Sequence, residues 1–317
     1  MNSLTSNPLT PNLLSLTGLV NLLLSNNQFT GTIPSAIAFL PLLESFWMAS
    51  NSMNGPIPTE LGLLTKLSTV ILYQNGFTSN LQNTPFGQLT DLTNLQLYEN
   101  DFQGTIPSNF YGLTKLSVLR LDYNFISGTI STLVGQLTGL QDFRISSNLF
   151  MGTLPSEIGL LTNLEFLVIG QTFLSGTIPD VFSSLQHLQT LDAAGAQFGG
   201  TIPQSIFSDQ SIQELYLSSN KLTGTIPSVY SAPPKLVDFF LNNNNLVGTV
   251  PAIAPGQLTT LNELLLQANG LTGSIPTSLC NLRNGSLQDL FADCSGQPPK
   301  IICTFPTCCN RCFLYPQ

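Results

Sequence analysis

The chain has 317 residues, a formal net charge of −8 and 42% hydrophobic residues, yet only 8% charged ones, where about 25% is usual. The apolar content excludes a disordered chain, and the acidic balance excludes nucleic acid or an acidic membrane surface as a partner held through basic patches. The length exceeds what one closed core supports and points to two domains or a repeat array.

The first segment is "MNSLTSNPLTPNLLSL". It has neither the basic start nor the apolar core of a signal peptide, and no run of 18 apolar residues follows anywhere, so the given chain is not expected to insert into a membrane. Residues 2–16 align with "NGFTSNLQNTPFGQL" at 75–89, so the chain opens in mid-repeat. Residues 1–16 are expected to be a partial repeat or N-terminal edge, as in a truncated chain or one with an unusual cap.

From residue 17 to 282 the chain repeats. Asparagine recurs at Asn27, Asn51, Asn75, Asn100, Asn124, Asn148, Asn220, Asn244 and Asn269, with Thr172 and Ala196 in the two intervening slots. The step is 24 residues, with two steps of 25, which is the period of a solenoid. One unit reads Leu89, Leu92, Leu95, Leu97, Asn100, Phe102, Gly104, Ile106, Pro107, Phe110, Leu113, and the next repeats it. Leu95 and Leu97 alternate with outward residues, so this part is a short strand. The slot Asn turns inward to bond backbone groups freed by the bend. Gly opens a turn, the residues around Thr-Ile form a second short strand, and Pro ends it by offering no N–H. The return to the next Leu is a turn or 3₁₀ stretch.

These residues match L-x-x-L-x-L-x-x-N-x-L followed by L-x-G-x-I-P. The chain therefore resembles the leucine-rich repeat, in the plant-type subclass of receptor ectodomains and secreted inhibitors, over about eleven units. The resemblance implies a right-handed curved solenoid: a concave parallel sheet, a short second sheet and a 3₁₀ or turn-rich convex side.

Outward strand residues would then line the concave face. The central column brings Trp47, Ile71, Arg120, Arg144, Asp192, Tyr216 and Phe240 into line; Asp142 and Asp238 lie on one flank, Tyr73, Tyr98 and Asp122 on the other. Three zones result: an aromatic patch near the start, an Arg–Asp group in the middle, and an aromatic column beside Glu214, Asp238, Glu263 and Asp289. Aromatics and Arg are typical contact anchors, so these twelve residues are the candidate ligand-binding set. The competing reading is that aromatics suit strands and that neighbouring Arg and Asp neutralise one another.

The residue after the repeat Gly is Thr in seven consecutive turns, from Thr105 to Thr249. A ladder of Thr resembles ice-binding faces and could also take glycan or mineral. The plainer reading is that β-branched Thr suits a short exposed strand.

All six cysteines lie at the end: Cys280, Cys294, Cys303, Cys308, Cys309 and Cys312. Residues 283–317 are expected to form a last strand, "LQDLFADC", and a cap held by three disulfides, which implies an oxidising compartment. Zinc on the Cys309–Cys312 spacing is the rival. The tail resembles those of surface leucine-rich-repeat proteins of diatoms and related algae. Asn284-Gly285-Ser286 is the single N-glycosylation sequon.

Catalytic and cofactor motifs are missing from the sequence: no phosphate loop, no metal-type His cluster, and a sole histidine, His187, with no triad partners. The expectation is a non-catalytic extracellular module, of receptor or secreted type. It would need no cofactor and bind a protein, peptide or polysaccharide on its concave face. The alternative is a structural or surface-active protein using the Thr ladder, or a scaffold subunit.

Overall fold

A computed structural model describes residues 6–208, 211–228, 233–295, 301–303, 308–309 and 311–314. Its contacts divide the chain into two units, residues 1–151 and 152–317.

In the first unit the strands Asn21–Leu23, Ser45–Trp47, Thr69–Ile71, Asn94–Gln96, Val118–Arg120 and Asp142–Arg144 stack in parallel, each on the next turn's strand. The middle residue of each faces inward and the other two face out. The leucine rows do what the period demands: Leu95, Leu97, Leu113 and Leu116 are wholly buried, joined by Phe102 and Phe110. No turn could bury these residues alone, so each stabilises its neighbour by covering it.

From Asn51 on, the slot asparagines of this unit close their turns in the same way. Asn124 donates through Nδ2 to the carbonyls of Leu121 (3.0 Å) and Asp122 (3.2 Å) in its own turn and of Leu97 (3.1 Å) in the preceding one. Its Oδ1 accepts the Phe102 N–H at 2.9 Å. Asn51, Asn75, Asn100 and Asn148 repeat the donor set. The residue before each slot has left-handed backbone, with φ between 52 and 67° from Asn26 to Ala268 and glycine only at Gly195.

Leu149–Thr153 and Phe173–Thr177 reach the Thr as the sequence suggests, but other second strands lie one step earlier. Thr30–Gly31, Gln103–Gly104 and Phe125–Gly128 stop at the glycine, so in these turns Thr-Ile follows the strand. Proline then caps a short 3₁₀ turn, as Pro34 does for Ser35–Phe39 and Pro107 for Ser108–Gly112. Its fixed φ suits that start and it has no N–H to leave unpaired.

The second unit repeats this build with Phe166–Val168, Thr190–Asp192, Glu214–Tyr216, Asp238–Phe240, Glu263–Leu265 and Asp289–Ser295. Asn220, Asn244 and Asn269 fill their slots as in the first unit, while Thr172 keeps a single donated bond, to Ile169 O at 2.9 Å. The expected last strand is not the last. Ile301–Ile302 pairs with Gly273–Ser274, and Arg311–Leu314 extends the main sheet beside Asp289–Ser295. The exposed end of a parallel sheet invites pairing, and the tail supplies it.

Cystines fasten that tail: Cys280 to Cys308 and Cys303 to Cys309, with Cys294 also disulfide-bonded. The Cys312 side chain lies outside the described residues. Cys309 is thus consumed in a disulfide, and the C-x-x-C spacing does not present two thiolates to zinc. Asn284 is exposed and ends the 3₁₀ turn Asn281–Asn284.

Candidate functional site

Strand register sets the open face of the main sheet. In the first unit Leu23, Trp47, Ile71, Gln96, Arg120 and Arg144 lie side by side on successive strands. Trp47 remains 37% exposed and Ile71 half-buried, so the start of this column is apolar and open.

Beside it the flank residues Tyr73 and Tyr98 stack, with centroids 4.3 Å apart and planes 9° from parallel. The Arg120 guanidinium lies 4.1 Å from the Tyr98 ring centre and continues the stack. Burial, then the neighbouring Tyr73 hydroxyl, pushes the Tyr98 phenol up to about 12, against the pull of Arg120. The stack is a rigid shelf held by aromatic and cation–π contact.

The two arginines lean apart. Arg120 reaches Asp122 at 3.5 Å, and Arg144 Nε donates to Asp142 at 2.7 Å. Asp122 is only 4% exposed. It lies beneath the face, where burial raises its pKa against the opposing pull of Arg120. Among the described residues, Asp122 Oδ1 and Arg120 Nε find no hydrogen-bond partner. Stacking on Tyr98 has therefore taken precedence over a two-point pairing with Asp122, which Arg120 reaches through Nη2 alone. Of the sequence candidates in this unit, Trp47, Ile71, Tyr73, Tyr98, Arg120, Asp142 and Arg144 share the open face, while Asp122 sits below it.

In the second unit Val168, Asp192, Tyr216, Phe240, Leu265 and Phe291 align. Tyr216 and Phe240 touch, with centroids 4.8 Å apart. Glu214, Asp238, Glu263 and Asp289 run beside them on successive strands. Thr190 donates to Glu214 and Tyr216 to Asp238, each at 3.0 Å. Burial, then Asp238 and Asp289, raises the Glu263 pKa; burial, then Asp238 and Glu214, raises that of Tyr216. Asp192 is turned onto the Ala194 N–H at 2.9 Å, and burial raises its pKa.

One feature escaped the sequence reading, and a second gives the threonine column a shape that the sequence did not show. Tyr123, Phe125, Leu149 and Met151 are large, apolar and exposed on the lateral side of the first unit. The signal was the residue just after the slot, polar in Gln28, Ser52 and Asp101 but Phe125 and Leu149 here. In the second unit a groove of about 590 Å³ runs along Thr177, Thr201 and Thr225, with Asp180, Gln204 and three prolines in its lining.

The Leucine Rich Repeat family matches residues 18–40, 211–231 and 260–282. No curated protein sequence matches the chain. Among solved structures, a TDR receptor is 31% identical with a TM-score of 0.85, over 92% of this chain and 49% of that one. The plant peptide hormone receptor RGFR1, solved with RGF2, is also 31% identical, with a TM-score of 0.83 over 91% and 45%. A plant ice-binding protein is 26% identical, with a TM-score of 0.69 over 80% and 81%. The chain thus carries leucine-rich repeats in the leucine-rich-repeat fold, and it spans about half the length of the two receptor chains.

Proposed function

We propose that the chain is a non-catalytic recognition module of the secretory pathway or cell surface, which holds a peptide or protein segment across the open face of its main sheet. The observation that carries this reading is the Tyr73–Tyr98–Arg120 stack beside Trp47 and Ile71. It is ordered and partly open, and it leaves a buried carboxylate half-satisfied to keep its shape. Preformed aromatic and Arg anchors of this kind carry most of the energy in protein contacts. The open face of the second unit has an apolar pair of its own, Tyr216 and Phe240, and the carboxylates beside it favour a ligand with basic groups. The disulfides and the peptide-hormone receptor among similar structures support the same reading.

The test is selection of a displayed random-peptide library on the full chain, followed by affinity measurement of the enriched peptide. Trp47→Ala and Tyr98→Ala should each weaken it about tenfold or more, as loss of a hot-spot side chain does. A selection that enriches nothing, or a peptide indifferent to both changes, removes the reading.

A further inference from the structure

We propose a second binding site, separate from the open sheet face: the groove along Thr177, Thr201 and Thr225 takes a neutral, unbranched, extended oligosaccharide.

The argument begins with why threonine is there. Gly200, Gly224 and Gly248 have φ of 72, 76 and 83°. A Cβ placed on them would meet the methyl of Thr177, Thr201 or Thr225 at 2.8, 2.9 and 3.0 Å. Each threonine methyl therefore lies over the bare α-carbon of the next turn's glycine. That contact selects one rotamer of a side chain already stiff at χ1. With the methyl fixed, the hydroxyl is fixed too, on the exposed side of the residue. Among the described residues none of these three hydroxyls has a hydrogen-bond partner, whereas Thr105 in the first unit receives the Gln82 amide at 2.7 Å. Three donor–acceptor groups thus stand in a rigid row, one to each turn, with the turns stacked at about 4.8 Å.

The row lies in a groove and not on a plane. The 3₁₀ turn Phe182–Ser184 starts three residues after Pro179, while Gln204–Ser208 starts one residue after Pro203. The delayed start leaves Asp180 at the groove, and its carboxylate accepts the Ser205 N–H at 3.0 Å. Bonds from Ser205 hold the Asp180 pKa down, so the carboxylate is ionised at neutral pH. Gln204, Pro179, Pro203 and Pro227 complete the lining with an amide and apolar ring surface.

This chemistry selects its ligand. A row of hydroxyls with a fixed carboxylate and an amide matches paired sugar hydroxyls, which both donate and accept. Proline rings suit the C–H faces of a pyranose. A row with one hydroxyl to each turn suits an extended chain, one sugar unit to about each turn. Asp180 is the one charge in the lining, and the chain carries −8 overall, so an acidic sugar is repelled. A volume of about 590 Å³ is within the usual range for a ligand site, and its concavity fits a strand of polymer better than a flat crystal face.

The experiment is calorimetric titration of the full chain with cellohexaose. Thr201→Val keeps the methyl on Gly224 and deletes the hydroxyl. It should weaken binding by about threefold to tenfold, the worth of one hydrogen bond, with thermal stability unchanged. Thr177→Val with Thr201→Val, or Asp180→Asn, should weaken it further, while Phe240→Ala on the sheet face should have no effect. Absence of binding to the wild-type chain overturns the proposal, as does binding unchanged in the double variant. Ice-crystal shaping by the wild-type chain, lost in the double variant and unaccompanied by cellohexaose binding, overturns it in favour of a crystal surface.

Discussion

Replacing Asn124 by Ala strands one buried N–H and takes one of two donors from each of two buried carbonyls, which keep the amides of Asn100 and Asn148. The Phe102 N–H loses its acceptor at 2.9 Å, and the carbonyls of Leu97 and Leu121 lose a donor at 3.1 and 3.0 Å. Asn124 is 6% exposed, so water does not replace the amide without opening the turn. At about 1–3 kcal/mol for the stranded N–H and about 0.5–1 kcal/mol for each carbonyl bond lost, less what relaxation recovers, the loss is about 2–4 kcal/mol. Asn124→Thr should cost roughly half as much, since Thr172 shows that a hydroxyl in this slot keeps one donated bond. Asn124→Asp keeps the acceptor for Phe102 but turns a carboxylate towards three carbonyls, and should be no better than Ala. Urea unfolding followed by Trp47 fluorescence measures the first unit, where the sole tryptophan lies. Amide exchange at Phe102 reads the broken bond directly. A loss under about 1 kcal/mol, with the Phe102 amide still protected, would refute the role given to the slot amide.

Two other outcomes are expected. Gly200→Ala should destabilise by about 2–3 kcal/mol, from left-handed backbone and the close Thr177 methyl. Thr177→Ser should recover part of that loss in a double-mutant thermal-unfolding cycle, and strict additivity would show the methyl and the glycine to be uncoupled. The Tyr98 phenol holds its proton in the folded chain to about pH 12, where an unperturbed phenol releases it near 10. Stability should therefore fall as pH rises through that window, because the unfolded chain sheds the proton first. The tyrosinate absorbance lost in Tyr98→Phe should have its midpoint near 12, and a midpoint near 10 would contradict the packing of Tyr98 between Tyr73 and Arg120.

The fold was legible because each position has one physical task and repeats it. Leu95, Leu97 and Asn100 are specified by burial and by an amide that must bond inward, and the columns of the open face follow from strand register alone. What could not be read depends on side-chain choice among neighbours. Nothing in the spacing says that Arg120 stacks on Tyr98 at the expense of Asp122, or that Asp122 sinks below the face. In several turns the second strand was placed late because Thr-Ile reads as β-branched, whereas the glycine before it takes the bend. The tail strands Ile301–Ile302 and Arg311–Leu314 lie outside the period, so the repeat offered no template for them. The threonine column was read as strand preference, while its methyls in fact cover the glycines of the next turn.

The left-handed residue before each slot has a consequence for engineering. Ten of the eleven turns hold a side chain at a φ where most residues lose about 1 kcal/mol, and only Gly195 avoids the strain. Asn26 and Asn243 already use the type that tolerates this geometry best. The others, such as Tyr123 and Ala268, form a reserve of heat resistance distributed evenly along the chain. Because neighbouring turns interact mainly with one another, that reserve can be drawn upon one repeat at a time, leaving the open face and the threonine groove unaltered.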